Sequence, residues 1–284
     1  MKILPTIGPA TEKGKDLKYL FNYCSMARLN TSHNNISWHK KMINLIKRLD
    51  KNVDILVDIP GVKPRTDNKK NVYLKKNSVI RFGYKIKKKR SEEISIELTR
   101  KLPLKKGTLN NFFSLDDGKI IFKTIKFNNK EIIGKALHDC VIQPKKGLNI
   151  PNSIYDNYEQ KKIYIEYLKK FKNTNINAVG LSFVQNKELI LFLKKKFSKF
   201  LMISKIENSE GLKNAEEICK SSDAIMIDRG DLSAEIGDNN LYDAILKISN
   251  LTKKYGKPLI MATENLETLS SYNNPTKNDI VSLG

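Results

Sequence analysis

The stretch MISKIENSEG, Met202 to Gly211, closes an apolar run with a lysine and a glutamate two residues apart. Alternation along a strand puts Lys205 and Glu207 on one face. Exposed, such a pair contributes little; buried, it is costly, so its place at the end of an apolar run invites a chemical reading. Asp231, in RGDL, offers a second carboxylate. Two hard oxygen ligands with room for waters and substrate oxygens suit Mg²⁺, although Asp is equally a capping residue. Lys205 offers a point positive charge to a developing anion, or forms a plain ion pair. Arg28 and Arg65 carry the planar forks that clamp phosphate. Asn30, Ser32 and Asp58 add oxygens for a second, monovalent cation, or serve as turn and capping residues. Thr263 ends the apolar run PLIMAT, where a hydroxyl can position a water or relay a proton, or is an ordinary β-branched strand residue. His33 reads as a loop histidine, because no second His or Cys lies at metal-ligand spacing.

These residues need a scaffold that brings strand ends together. Apolar runs alternate with helix-like segments: KILPTIG, MARLN after a helix near Asp16–Cys24, and DILVDIPG after Trp38–Leu49. The rhythm breaks between about Thr66 and Lys146. That stretch is basic and strand-rich, with turn signals such as DDG and NNK, and reads as a small antiparallel β module. The alternation resumes with helices near Tyr158–Phe171, Lys187–Phe197, Gly211–Cys219 and Tyr242–Tyr255, separated by AVGLSFV, FLMISKIE, DAIMID and PLIMAT. Alternation implies a parallel sheet. About seven such units favour a (β/α) barrel over an open sheet, and no GxGxxG or GxxxxGK[ST] occurs. In a barrel the residues just past the strand C-termini line the active face, and Arg28, Asn30, Asp58, Ser182, Lys205, Glu207, Asp228, Asp231 and Thr263 all fall there.

The bulk numbers fit that picture. The chain has 284 residues, 40% hydrophobic and 29% charged, enough for a sizeable core. Cys24, Cys140 and Cys219 show no paired spacing, which fits a reduced cytoplasm. No apolar run is long enough to span a bilayer, and MKILPTIGPA is too short for a signal peptide. Lys+Arg 52 against Asp+Glu 30 gives a formal charge of +22, compatible with anionic metabolites, a membrane surface or RNA. The basic residues are spread along a Lys-, Asn- and Ile-rich chain, so nucleic acid is the outsider. The densest run, KIKKKR, reads as solvated surface.

The motifs resemble the pyruvate kinase family. LPTIGPAT is similar to its first-strand segment, ARLNTSH to its Arg-Leu-Asn-x-Ser-His stretch, and DIPGVKPRT and KKGLNIPN to the ways into and out of its lid. ISKIENSEG is similar to its catalytic lysine segment, SDAIMIDRGDLSAEIG to its metal-binding segment, and GKPLIMATENLETL with NNPTKNDI to its threonine strand and the following helix. The resemblance implies a TIM-type (β/α) barrel, residues 1–65 and 147–284, with a small β-barrel lid inserted at 66–146. It implies phosphoryl transfer between phosphoenolpyruvate and ADP, giving pyruvate and ATP, in the cytoplasm. Lys205 would stabilise the transferring phosphoryl group, and Glu207 and Asp231 would hold Mg²⁺ or Mn²⁺. Thr263 would lie near the enolate, Arg28 and Arg65 would contact phosphates, and the Gly230 and Asp231 backbone the substrate carboxylate. Asn30, Ser32, Asp58 and the Ile59 carbonyl would form a K⁺ site, and Asn30, His33 and Arg65 would meet the nucleotide.

Several positions depart from the family's usual residues. Pro60-Gly61-Val62 replaces Lys-Gly-Pro, Asn34 a glycine, Asp228 an alanine, and Glu264-Asn265 Gln-Met. Asp228 and Glu264 place negative charge beside a site for anions, which weakens anion binding unless an extra cation compensates. The chain ends at Gly284, after the segment resembling the seventh barrel helix. The expectation is therefore an incomplete, seven-stranded barrel, completed by a second copy or a partner chain. A catalytically impaired homologue serving as a regulatory subunit, or another enzyme acting on a pyruvate enolate, fits the same residues.

Overall fold

The parity of the strands decides which side chains meet. In the computed structural model, which describes residues 2–86, 94–105 and 111–263 with Leu269, Asn274 and Thr276, six strands form one all-parallel sheet. They are β1 (Met26–Asn30), β2 (Asp54–Ile59), β3 (Ala178–Leu181), β4 (Leu201–Ile206), β5 (Ala224–Asp228) and β6 (Leu259–Ala262). The spatial order is the chain order, with no reversal. That is the order of a barrel wall, and a doubly wound sheet would show a switch point.

The α-helices whose bounds fall among the described residues are α1 (Gly14–Phe21), α2 (Ile36–Leu49), α3 (Asn157–Phe171), α4 (Lys187–Lys196), α5 (Ser209–Lys213), α6 (Ala215–Ser221), α7 (Arg229–Ile236) and α8 (Leu241–Lys254). Asparagines start three of them just after a strand. Asn35, Asn186 and Asn208 accept from the amides of Trp38, Leu189 and Gly211 at 2.9, 3.2 and 2.7 Å. Each satisfies an amide that the first helical turn leaves free.

One face of the sheet packs on the helices through Ile55, Val57, Val179, Met202, Ile225 and Ile227, in a large buried cluster with α2, α3, α4 and α6 residues. The other face starts apolar, with Leu56, Ala178, Ile203, Ala224, Met226 and Ala262 packed together. Two residues further along β2, β4 and β5 the same face turns polar, with Asp58, Lys205 and Asp228, beside Arg28 of β1, while β3 has Gly180 at that level. A period of two thus carries the site above an apolar floor.

Between β2 and α3 the chain builds a second, six-stranded sheet. Strands 79–83, 112–115, 120–127 and 131–136 pair antiparallel, and 79–83 pairs parallel with 95–97, where an all-antiparallel module was expected. Phe82, Phe113 and Phe122 form its centre, with ring centroids 5.0 to 5.9 Å apart.

Three expectations need correction. KILPTIG is no regular strand: Thr6 makes a single parallel bridge to Arg28, with hydrogen bonds from the Arg28 amide to the Pro5 carbonyl and from the Ile7 amide to the Arg28 carbonyl. Pro5 has no amide to extend the ladder. Among the described residues, six strands and one bridged segment therefore stand where seven strands were expected. The helix expected at Gly211–Cys219 is two, α5 and α6, meeting at Asn214. RGDL opens a helix, α7, that the apolar pattern did not announce. The seventh helix and Glu264-Asn265 lie outside the described residues.

Candidate active site at the strand ends

Lys205 is the hub. Its side chain is 5% exposed. Its ammonium lies 2.8 Å from Glu207 Oε1, 3.2 Å from Asp58 Oδ2, 3.3 Å from Asp228 Oδ2 and 3.2 Å from Ser182 Oγ. Burial opposes the charge, but Asp58, Glu207 and Asp228 together hold the lysine well above its ordinary pKa. Arg28 completes the layer. Its Nε and Nη2 donate to Asp58 Oδ2 at 3.0 and 2.6 Å, and its Nη1 to Thr6 Oγ1 at 3.0 Å. Despite full burial, Lys205 and Arg28 pull the Asp58 carboxyl below its usual range.

Gly180 makes this packing possible: a Cβ there would lie 3.1 Å from Asp58 Oδ1. Glu207 follows β4, and its Oε2 accepts from the Phe183 amide at 2.6 Å. Phe183 has φ +62°, a left-handed backbone uncommon for a bulky residue. Glu207 Oε1 faces Lys205 without a hydrogen-bond angle and has no other partner. Burial, reinforced by Asp228 and Asp231 and opposed by Lys205, pushes Glu207 up to about 8.

Oxygens of Glu207, Asp228 and Asp231 all lie within 4.8 Å of one another. That set of hard carboxylates, with Glu207 Oε1 accepting no hydrogen bond, fits a divalent ion of the Mg²⁺ or Mn²⁺ type. Asp231 sits in the first turn of α7 rather than on a strand, and its Oδ1 accepts from Lys63. Lys63 holds its carboxyl below the usual range against the effect of burial. Thr263, also left-handed at φ +61°, donates to Asp228 Oδ1 at 3.0 Å, and the Gly230 amide points at its hydroxyl at 3.4 Å. Arg229 fixes the Thr263 carbonyl with two bonds, of 2.6 and 3.2 Å.

Of the residues singled out in the sequence, Arg28, Asp58, Ser182, Lys205, Glu207, Asp228, Asp231, Gly230 and Thr263 form one connected group. Asn30 and Ser32 stand at the end of β1, where Asn30 Oδ1 takes the Ser32 amide at 3.0 Å. The Ile59 carbonyl receives the Ser182 amide at 3.4 Å. Arg65 lies at the root of the second sheet, its guanidinium on the Lys145 carbonyl at 3.1 Å. His33 is exposed on the loop before α2, and its carbonyl accepts from His39 Nε2 at 2.8 Å. Two residues escaped the sequence reading. Lys63 is buried against Asp231, and Glu235 of α7 is 1% exposed, takes the Tyr155 hydroxyl at 3.2 Å and is pushed up to about 8 by burial.

A parallel sheet with strands in chain order and a lysine–carboxylate cluster at their C-terminal ends defines a protein of the incomplete α/β-barrel class. The family model for the pyruvate kinase barrel domain matches residues 1–284, and the chain belongs to the pyruvate kinase family. It is 30% identical to a pyruvate kinase of Methanocaldococcus jannaschii, over 99% of this chain and 61% of that protein. It is likewise 30% identical to one of Encephalitozoon cuniculi, over 100% and 67%, and 31% identical to one of Staphylococcus aureus, over 94% and 48%. The chain thus spans about half to two thirds of the length of these relatives.

Proposed function

We propose that the chain is a phosphotransferase of the pyruvate kinase type, moving a phosphoryl group between phosphoenolpyruvate and ADP to give pyruvate and ATP. The observation that carries this reading is Lys205. A fully buried ammonium is held between Asp58, Glu207 and Asp228, next to the Thr263 hydroxyl. Phosphoryl transfer asks chiefly for positioning and charge neutralisation. Lys205 is preorganised to meet charge on the transferring group without rearranging. Glu207 and Asp231, joined by Asp228, would hold the divalent ion, which when bound supplies Lewis-acid neutralisation of substrate oxygens. Arg28 orients Asp58 and is assigned to a substrate phosphate, with Arg65 as second clamp. The Gly230 and Asp231 amides, at the start of α7, suit a substrate carboxylate. Thr263 holds a proton beside the enolate carbon. Asn30, Ser32, Asp58 and the Ile59 carbonyl are assigned to K⁺, and Asn30, His33 and Arg65 to the nucleotide. Residues 66–146 act as an inserted lid, and the cytoplasm is the compartment.

A coupled assay of pyruvate formation with ADP, phosphoenolpyruvate, Mg²⁺ and K⁺ tests this. Turnover lost in Lys205→Met supports it; no turnover in the wild-type chain refutes it. Replacing K⁺ by tetramethylammonium tests the monovalent site, and an unchanged rate removes those four residues from it. Asp228 favours a second reading, another reaction on a pyruvate enolate, because it adds a carboxylate between Lys205 and Thr263. Lys205-dependent decarboxylation of oxaloacetate without ATP formation would select it. If neither activity appears, and the chain purifies in a stable heteromeric complex, a regulatory subunit is the remaining reading.

A further inference from the structure

Away from the strand ends, α2 and the loop before β3 enclose a groove of about 1110 Å³. Ser37, Lys41, Asn44 and Arg48 recur along α2 at the spacing of one helical stripe, and Lys51 follows just past its end. Such a stripe is by itself ordinary solvated helix surface. The α2 dipole also accounts for the basic residues of its last turn, Lys47 and Arg48. Three features go further. Lys41, Arg48 and Lys51 form no ion pair among the described residues, and no carboxylate lines the groove beside them. Lys47 is half-buried, and its ammonium donates to the carbonyls of Val53 at 2.8 Å and Lys51 at 3.3 Å. Carbonyls satisfy its hydrogen bonds but leave its charge uncancelled. Asn177 stands on the facing wall. Its Oδ1 accepts from the Ile55 amide at 3.0 Å, and its own amide donates to the Ile55 carbonyl at 3.0 Å. The side chain is thereby fixed, with its amino group lacking an acceptor among the described residues.

We propose that this groove binds a small molecule carrying two or more linked phosphate groups. Lys41 and Arg48 lie seven residues apart, about 10 Å along the helix. That span exceeds one phosphate and suits a short run of them. The Arg48 fork and the lysine ammoniums supply the charge, while Asn44 and Asn177 offer neutral amide donors that orient the bound molecule. The lining comes from two short segments, 37–51 and 175–177, a footprint for a compact ligand rather than a continuous track for a long polymer. Asn177 directly precedes β3, and Arg48 and Lys51 precede β2, so the groove opens at the end of the sheet where strands begin. Lys205 and Glu207 stand at the other end, where strands finish. The bound phosphates are therefore separate from any that react beside Lys205.

Inorganic tripolyphosphate, titrated by calorimetry into the full chain without divalent metal, is the probe. One saturable site is expected, with orthophosphate at least about tenfold weaker because it reaches fewer of the cations. The combined Lys41→Gln, Arg48→Gln and Lys51→Gln variant should lose at least about tenfold in affinity. The combined Lys123→Gln, Lys135→Gln and Lys195→Gln variant removes the same charge elsewhere and should lose less than about twofold. Asn44→Asp sets a carboxylate in the groove on an exposed helix position, and should abolish binding without unfolding the chain. Amide shifts in nuclear magnetic resonance should centre on residues 37–51 and 175–177. Equal losses in the two triple variants overturn the proposal, since they mean diffuse attraction to a chain of charge +22. Shifts centred on 205–207 and 229–231, or no saturable binding, overturn it as well. A single-stranded oligothymidylate that displaces tripolyphosphate and binds more tightly would overturn it in favour of a nucleic-acid surface.

Discussion

At the scale of single residues, the site is a charge balance more than a set of separate roles. Lys205 serves three buried carboxylates at once, so its removal takes a cation from each of them, and Asp58 alone keeps another, Arg28. Lys205→Met should therefore destabilise the metal-free chain by about 3 to 5 kcal/mol, the cost of orphaning buried charge. A divalent ion can replace much of that positive charge. Mg²⁺ should raise the melting temperature of Lys205→Met more than that of the wild-type chain, while turnover falls at least about 100-fold. Equal Mg²⁺ shifts in calorimetry would contradict this balance. Lys205 and Glu207 were legible because a strand ending in charge breaks the apolar rule at a place that alternation specifies. Lys63 was not: it sits in a loop without period, and its partners Asp117 and Asp231 are 54 and 168 positions away.

At the scale of elements, the strands of the parallel sheet were readable because each presents one apolar face to the helices and a second face that changes from apolar to polar along its length. The bridged segment at residues 2–8 was misread because its apolar content hides the missing donor at Pro5. Helix α7 escaped because Arg229, Gly230, Leu232 and Glu235 are all buried, so no polar and apolar stripes separate. The second sheet was legible as a β module from its turn signals, but its parallel pairing of 79–83 with 95–97 was not, since local sequence carries no direction of pairing. The tightest demand at this scale falls on β3. Gly180→Ala would set a methyl 3.1 Å from Asp58 Oδ1 and 3.3 Å from Asp58 Cα. The expected cost is about 1 to 3 kcal/mol of stability, read by urea unfolding, with weakened Mn²⁺ binding because Asp58 must shift away from Lys205. A neutral Gly180→Ala would mean that β2 and β3 are less closely apposed than this register gives.

At the scale of the whole molecule, the +22 charge and the acidic site pull in opposite senses. Surface lysines attract anionic ligands, but only within a Debye length of about 8 Å at physiological salt. The buried acids govern the response to pH. Glu235 is pushed from an ordinary 4.5 up to about 8, chiefly by burial and against Lys63. Between those two values the folded chain binds more protons than the unfolded one. Stability therefore falls as pH rises through that window and levels off above it. For so deeply buried a group the loss is on the order of several kcal/mol. Glu207 is shifted the same way, so the measurement is best made with saturating Mg²⁺, which keeps that carboxylate ionised. Glu235→Gln preserves the shape, accepts the Tyr155 hydroxyl through its carbonyl and has no proton to lose. Its stability should stay nearly flat from pH 5 to 8, crossing above the wild-type curve at the alkaline end of urea titrations. Parallel slopes for the two proteins would mean that Glu235 is solvated and ionised at neutral pH.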